Sequence, residues 1–277
     1  MSILSNNRFL QRVNPEIERA RTDAGASFVS DHAVIQPLMR QMVDLGIASN
    51  LKLWVHSGLV NTRTSGSDLF VPKAYDISGE ENDAAQATLA NQPKLVSNGM
   101  EFVPNDFLEI TEQGGLSAFS EFSMSAWIYL KPVFGACYVY CRNQNDDGNP
   151  DMGILLRTAT GDASFRMWAN NTSANIGEDG FAWTDHLEEW VFIAMTWNDN
   201  LSTNNSKGFI NGTQTNNEAH VDGPLDASSA NNIRIGARHR DLYFRGLIND
   251  VRILNKALSA SEISAIYNAT KGYYGIT

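Results

Sequence analysis

The stretch Phe244–Asn268, FRGLINDVRILNKALSASEISAIYN, constrains the fold more than any other part of the chain. Gly246–Leu254 reads as a strand. At period 2, Leu247, Val251 and Ile253 share one face with Asn249, while Ile248 and Leu254 share the other with Asp250 and Arg252. Apolar side chains on both faces predict a strand inside a sheet rather than on its edge. Ser259-Ala260-Ser261-Glu262 then matches a capping box, in which the Ser hydroxyl caps an early helix amide and the Glu reaches back to the Ser amide. Ile263, Ile266 and Tyr267 give that short helix an apolar stripe. An inner strand leading directly into a capped helix needs a sheet with neighbours on both sides and a helix laid against it.

The middle of the chain supplies those neighbours. Phe122, Met124, Ala126, Ile128 and Leu130 alternate with Ser123, Ser125, Trp127 and Tyr129. Met152, Ile154 and Leu156 alternate in the next segment, and Phe165 and Met167 oppose Arg166 and Trp168. Val191, Ile193 and Met195 oppose Trp190, Phe192 and Ala194. Lys207–Thr215 is a hairpin around Asn211-Gly212, a pair that favours the type I′ turn. Short strands at this spacing predict an all-β sandwich of two antiparallel sheets. A first strand is expected at Leu51–Val55, then a polar loop over Asn61–Asp68 and a strand at Leu69–Val71.

Residues 1–50 differ from this body. Pro15–Arg21 reads as a short helix opened by Pro. Asp31–Leu45 reads as a longer one, with Asp31 as N-cap, Val34, Ile35, Leu38, Met39, Met42 and Leu45 as its apolar positions, and Gly46 just past its end. Pro37 is awkward unless it lies in the first turns. The expected organisation is an N-terminal helical arm or docking segment, residues 1–50, and a sandwich domain, residues 51–277. Two readings of the arm stand side by side, a lid packed on the sandwich and a segment that docks on another protein.

Several stretches resemble the laminin-G-like, concanavalin A-like jelly-roll family. GLINDVRILNKALSASEI is similar to its C-terminal signature, G-x-I-D-x-V-R-I-Y-x-x-A-L-S-x-x-E-I. WVFIAMTWN and KGFINGTQ resemble W-x-H-V-A-x-T-W-x and x-Y-V-N-G. Tyr75–Ala84 and Gly99–Ile110 resemble two stretches near the start of the same domains, with Glu81 in place of the first motif's Gly and Val103-Pro104 in place of the second's Asp-Gly. The resemblance runs from Leu51 to the C-terminus. It implies a jelly-roll β-sandwich with a short C-terminal helix and is nearly silent on function.

Charge and composition exclude some classes. A net charge of −10 and a pI near 4.9, with no basic run, argue against a nucleic-acid or anionic-membrane surface. No apolar run reaches membrane-spanning length, and polar Asn6-Asn7-Arg8 follows Met1–Leu4 where a secretory leader would carry an apolar core. Cys137 and Cys141, if both lie on one regular strand, share a face at ~13 Å, beyond disulfide reach. The expectation is a chain made in a reducing cytoplasm.

Catalytic patterns are sparse. Family members that hydrolyse glycans carry E-x-D-x-x-E on one strand, where one carboxylate attacks and another protonates. The nearest match, Glu81-Asn82-Asp83-Ala84-Ala85-Gln86, ends in Gln and falls in an early loop. No phosphate loop or nucleophile elbow is present. The expectation is a protein without enzymatic activity.

For metals, Asn143, Asn145 and Asp147 offer oxygens at alternate positions before Gly148, a partial echo of a calcium loop that lacks its closing Glu. Asn249 occupies the position where calcium-binding relatives often place an Asp. No cofactor is required, and a structural calcium ion is the one candidate. For a glycan, Trp168, Trp183, Tyr138 and Tyr140 are the candidate stacking aromatics, with core packing as the competing use of each.

Asn61–Phe102 also resembles stretches of tailed-bacteriophage virion proteins with this fold. That resemblance implies a structural virion component, such as a capsid-decorating, neck, tail or fibre protein, assembled in the host cytoplasm. Its partners would be other virion proteins met through residues 1–50, a cell-surface glycan and a second copy of the chain. The alternative is a carbohydrate-binding lectin or adhesion module.

Overall fold

The structure is a computed structural model that describes residues 15–111, 115–116, 119–132, 136–143, 150–159, 162–169, 172–176, 186–218, 233–238 and 242–277. Its helices are α1 (residues 15–24), α2 (His32–Asp44) and α3 (Ala260–Thr270). The strands begin with β1 (Phe28–Ser30), β2 (Leu51–Ser65), β3 (Asp68–Asp76), β4 (Ala84–Ala85), β5 (Lys94–Val96), β6 (Gly99–Phe102) and β7 (Leu108–Ile110). They continue through β8 (Glu121–Leu130), β9 (Cys137–Asn143), β10 (Pro150–Ala159), β11 (Asp162–Ala169) and β12 (Thr172–Ile176). The last are β13 (Trp190–Asn198), β14 (Ser206–Ile210), β15 (Thr213–Glu218), β16 (Ile233–Ile235) and β17 (Gly246–Leu254).

Antiparallel pairing arranges them in two layers. The first sheet runs β1-β2-β17-β8-β13-β14-β15. The second runs β4-β7-β16-β9-β10-β11-β12. Strands β3, β5 and β6 form a corner that joins the layers, since β3 pairs with β2 and β4, and β6 pairs with β17. Between the layers lies a core that includes Leu53, Val55, Phe102, Met124, Ile128, Ile154, Ile193, Ile233 and Ile253. The alternations read in β8 and β13 point as expected: Met124, Ile128, Val191 and Ile193 face this core, while Trp127 and Phe192 face outward.

That outward face is not solvated. Ile17 and Ala20 of α1, Ile35, Leu38, Met39, Met42 and Val43 of α2, and Ile263 and Ile266 of α3 pack on Trp54, Tyr75, Trp127, Phe192 and Phe209 as a second core. Residues 15–50 therefore lie on the sandwich as a roof. Asp31 caps α2 through Val34 N (3.3 Å), Gly46 follows its end with φ +71°, and Pro37 sits inside the helix on its exposed side. The roof is also polar-bonded: Trp127 Nε1 donates to Thr270 Oγ1 at 2.9 Å, and Gln41 Nε2 to Ala265 O at 2.5 Å. The capping box of α3 forms as predicted, with Glu262 N donating to Ser259 Oγ (3.3 Å) and Ser259 N to Glu262 Oε2 (2.8 Å). Asn211 (φ +47°) and Gly212 (φ +76°) make the hairpin turn between β14 and β15.

Three expectations change. The stretch Asn61–Asp68 is not a loop, because β2 continues to Ser65 and only Gly66-Ser67 turn. Strand β17 does not alternate throughout. A bulge opposite β8 sets Asp250 and Val251 against the single Ala126, one extra residue between Asn249 and Arg252, with Asp250 at φ +53°. Ile248 thus joins Val251 and Ile253 in the inter-sheet core instead of opposing them. A second bulge slips β9 against β10 at Val139, because Ile154 pairs with Tyr140 and Leu155 with Tyr138. Cys137 therefore faces the inter-sheet core and Cys141 the opposite side, both buried and neither in a disulfide, so they share no face.

Candidate functional site

Among the described residues, the roof leaves a strip of the first sheet's outer face only partly covered. Register places Trp190 beside Tyr129, Tyr129 beside Leu247, Leu247 beside Glu101, and Glu101 beside Lys94. All five are half-buried. Their neighbours Val191, Ile128, Ile248 and Met100 face the inter-sheet core, so the five share the outer face.

Trp190 and Tyr129 meet edge to face, with centroids 5.8 Å apart at 65°. Behind them, Tyr274 of the turn Lys271–Tyr274 lies 4.7 Å from Trp190 and stacks on Trp127 at 4.2 Å. Gly99 lets Trp190 lie against the backbone, because a Cβ there would stand 3.0 Å from Trp190 Cη2. Polar groups flank the rings: Lys131 pairs with Glu101, and His186 with Glu189. Half-exposed aromatics beside acceptors and donors can hold an amphipathic ring with hydroxyls at its rim. Sequence reasoning missed this strip. Trp190 and Tyr129 were read only as opposing Val191 and Ile128 on their strands, and which positions of a face stay uncovered depends on where the helices stop.

Among the described side chains, those singled out from sequence, Tyr138, Tyr140 and Asn249, do not gather at this strip. Tyr138 and Tyr140 are each 1 % exposed, so neither presents a ring face to solvent. Tyr140 packs between the sheets and Tyr138 under Leu242 with Cys141 and Leu155. Trp168 stands on β11 opposite Gly153 and Ser173, with its side chain outside the described ones, and Trp183 lies outside the described residues. Of the calcium candidates, Asn145 and Asp147 lie outside the described residues, as does the side chain of Asn143.

Asn249 is fully buried and does not fit a calcium ion. Its Oδ1 accepts from Ser57 N and Asp250 N, both at 2.8 Å, and its Nδ2 donates to Asn98 O at 3.0 Å. The amide pins the bulge to β2, which leaves no oxygen for an ion. Among the described residues, no group of three or more His, Cys, Asp or Glu could hold a metal.

The motif over Tyr75–Ala84 is also committed. Asp76 accepts from Trp54 N, Ser78 N, Ser78 Oγ and Asn82 N at 2.6–3.0 Å, and burial still pushes its pKa up to about 6 against those donors. Asp83 takes the Arg19 guanidinium of α1 on both oxygens, at 2.6 and 2.8 Å. Gln86 donates to Phe107 O and accepts from Thr88 N. The carboxylates here fasten α1 to the β3–β4 corner.

Known proteins share the architecture. None of the curated proteins matches the chain. Among solved structures, the binding domain of Paraclostridial Mosquitocidal Protein 1 aligns with a TM-score of 0.58 at 16% identity, over 83% of this chain and 56% of that one. The botulinum neurotoxin serotype D ligand binding domain, in complex with N-acetylneuraminic acid, aligns at 0.56 and 17%, over 84% of this chain and 55% of that one. A Trypanosoma rangeli sialidase aligns at 0.54 and 12%, over 87% of this chain and 39% of that one. The chain spans about half the length of the two toxin chains, and at these identities the likeness is one of fold. The family model of the concanavalin A-like lectin/glucanases superfamily, Laminin_G_3, matches residues 104–264, more than half of the chain. With its two-layered antiparallel sandwich and closing helix, the chain belongs to that superfamily.

Proposed function

We propose that the chain is a non-catalytic glycan-binding module of the lectin type, with the strip Trp190, Tyr129, Leu247 and Glu101 as its ligand-facing surface. The observation that supports this most is the aromatic pair left open where the helical roof ends, flanked by the Glu101–Lys131 and His186–Glu189 pairs. The neurotoxin domain of the same fold, captured with N-acetylneuraminic acid, is consistent with it. The absence of catalysis is part of the proposal. It is supported by Asp76, Asp83 and Asp250, whose oxygens are engaged by amides, guanidinium groups and an indole. No structural calcium ion is included.

The test is an array of neutral and sialylated oligosaccharides, followed by titration of any hit. Trp190→Ala and Tyr129→Ala are expected to weaken binding at least tenfold, about 1.4 kcal/mol. Because Trp190 also packs on Tyr274, the exposed-side variant Lys131→Ala is titrated alongside, with an expected loss of severalfold and an unchanged melting temperature. Absence of any bound oligosaccharide, or binding indifferent to all three variants, overturns the reading.

A second reading is a structural component of a tailed-phage virion, favoured by the resemblance of Asn61–Phe102 to such proteins and compatible with glycan adhesion. Residues 15–50 already pack on their own sandwich, so docking on other virion proteins would use residues 1–14 or a sandwich edge. Light scattering tests it. Concentration-dependent assembly that is lost on deleting residues 1–14 supports it, and a monomer at all concentrations counts against it.

A further inference from the structure

The strip is wired to a buried histidine. His56 of β2 is fully buried, accepts Gly58 N on Nδ1 at 2.9 Å, and has no hydrogen-bond partner on Nε2. Its charged and titratable surroundings come from three elements: Asp31 at the N-cap of α2, Asp250 and Arg252 on β17, and Tyr273 of the turn after α3. None of the carboxylates is hydrogen-bonded to it in the structure. The Tyr273 ring lies 5.6 Å from the imidazole, Tyr274 stands perpendicular to Tyr273 at 4.9 Å, and Trp190 follows at 4.7 Å. Four rings in contact thus lead from His56 to the open strip.

We infer that Tyr274 is a positioning residue for Trp190, and that protonation of His56, passed on through Tyr273, displaces it and weakens binding at the strip in acid. The inference rests on the strip being the binding surface. An imidazolium has two N–H donors and no acceptor, so the Gly58 N bond is lost on protonation. The new charge lies near buried Arg252 and away from water, with Asp250 and Asp31 as the carboxylates, among the described residues, toward which it can turn. Either that rotation or water entry moves the Tyr273 ring packed at a tilt against it. Burial, helped by Arg252 and opposed by Asp250 and Asp31, holds the His56 pKa below its ordinary 6.5, so the response falls on the acid side of that value.

The test reads Trp190 without any ligand. Acrylamide quenching is compared between the whole protein and Trp190→Phe, and the difference isolates Trp190. Its quenching is expected to rise roughly twofold as the pH is lowered below about 6.5, the ordinary histidine value. His56→Gln is expected to abolish that rise, and Tyr273→Leu, which leaves His56 in place but cuts the relay, to abolish it too. Tyr274→Ala is expected to leave Trp190 readily quenched above and below that value, and Tyr274→Phe to restore the protein's ordinary behaviour. A pH response that survives in both His56→Gln and Tyr273→Leu overturns the inference. Trp190 quenching unchanged in folded Tyr274→Ala overturns it as well.

The same variants are then titrated with the oligosaccharide array. A relay with no bound oligosaccharide sinks the glycan reading and keeps the coupling. Oligosaccharide binding that is flat in pH keeps the reading and sinks the coupling.

Discussion

Arg252→Met tests a buried charge that is fully committed to its neighbours. The guanidinium is fully buried, and its partner carboxylate on Asp250 is 2 % exposed. Nε and Nη2 reach the two Asp250 oxygens at 2.8 and 2.7 Å, Trp54 Nε1 adds a third bond at 2.7 Å, and the cation lies 4.6 Å over the Trp54 ring. Methionine keeps much of the volume but leaves the carboxylate with the indole alone. Breaking one side of a buried pair costs about 3–5 kcal/mol, because the other charge stays buried and uncompensated. For a chain of this size about 1 kcal/mol moves the melting temperature by roughly 2 °C, so a fall of about 6–10 °C is expected. Asp250→Asn, tolerated at positive φ, is expected to cost a similar amount. The double variant is expected to cost less than the sum of the two, since no orphan charge remains. Calorimetric melting of all four proteins closes the cycle. An Arg252→Met loss below about 1 kcal/mol, or strict additivity, would refute the argument that the bulge is held by a coupled buried pair.

Two further outcomes follow from the roof and from the buried acids. A chain beginning at Ser49 lacks Ile17, Ala20, Ile35, Leu38, Met39, Met42, Val43 and Ile47, whose burial contributes about 10–20 kcal/mol against a fully extended unfolded chain. That is comparable to the whole stability of a domain, so it is expected to lose its cooperative thermal transition and to bind a hydrophobic dye; a folded monomer with an unchanged melting temperature contradicts this. As for pH, the unfolded chain binds more protons than the native one between the lowered His56 pKa and 6.5, so His56 removes stability as pH falls below about 6.5, at up to about 1.4 kcal/mol per unit. Asp76 and Asp106, both held up to about 6 by burial, act in the opposite sense, since the native state takes up their protons first as pH falls from about 6 toward 4. Subtracting the His56→Gln curve from that of the whole protein in denaturant titrations isolates the histidine, and a difference that does not grow below pH 6.5 rules it out as the acid-sensitive group.

What could be read from the sequence follows locality. The capping box, the Asp31 cap and the Asn211-Gly212 turn are fixed by bonds within a few residues, and all three form. The inward faces of β8 and β13 were also legible, because nothing interrupts their period. Strands β9 and β17 were misread in facing because a single bulge inverts everything after it. The β17 bulge is set by Asn249, whose amide bonds Ser57 and Asn98, 192 and 151 positions away. Hydrophobic period could not show that the first sheet is covered on its outer face, since Trp127 and Phe192 look the same whether they meet helices or a ligand. Trp190 and Tyr129 were hidden for the same reason. Their exposure is decided by where the roof ends, which is a property of distant segments.

The roof also has a kinetic meaning. The outer face of the first sheet is completed by α2 near one end of the sequence and by α3 near the other, clasped by Gln41 on Ala265 across 224 positions. Contacts of such long separation must close a very large loop before they return any stabilisation, which slows folding. On a ribosome the early helices would emerge long before β17 and α3, with Met39 and Met42 still waiting for their partners. The fold is therefore expected to assemble only after synthesis of α3, and the interval before that is when an unroofed sheet is most exposed to misassociation.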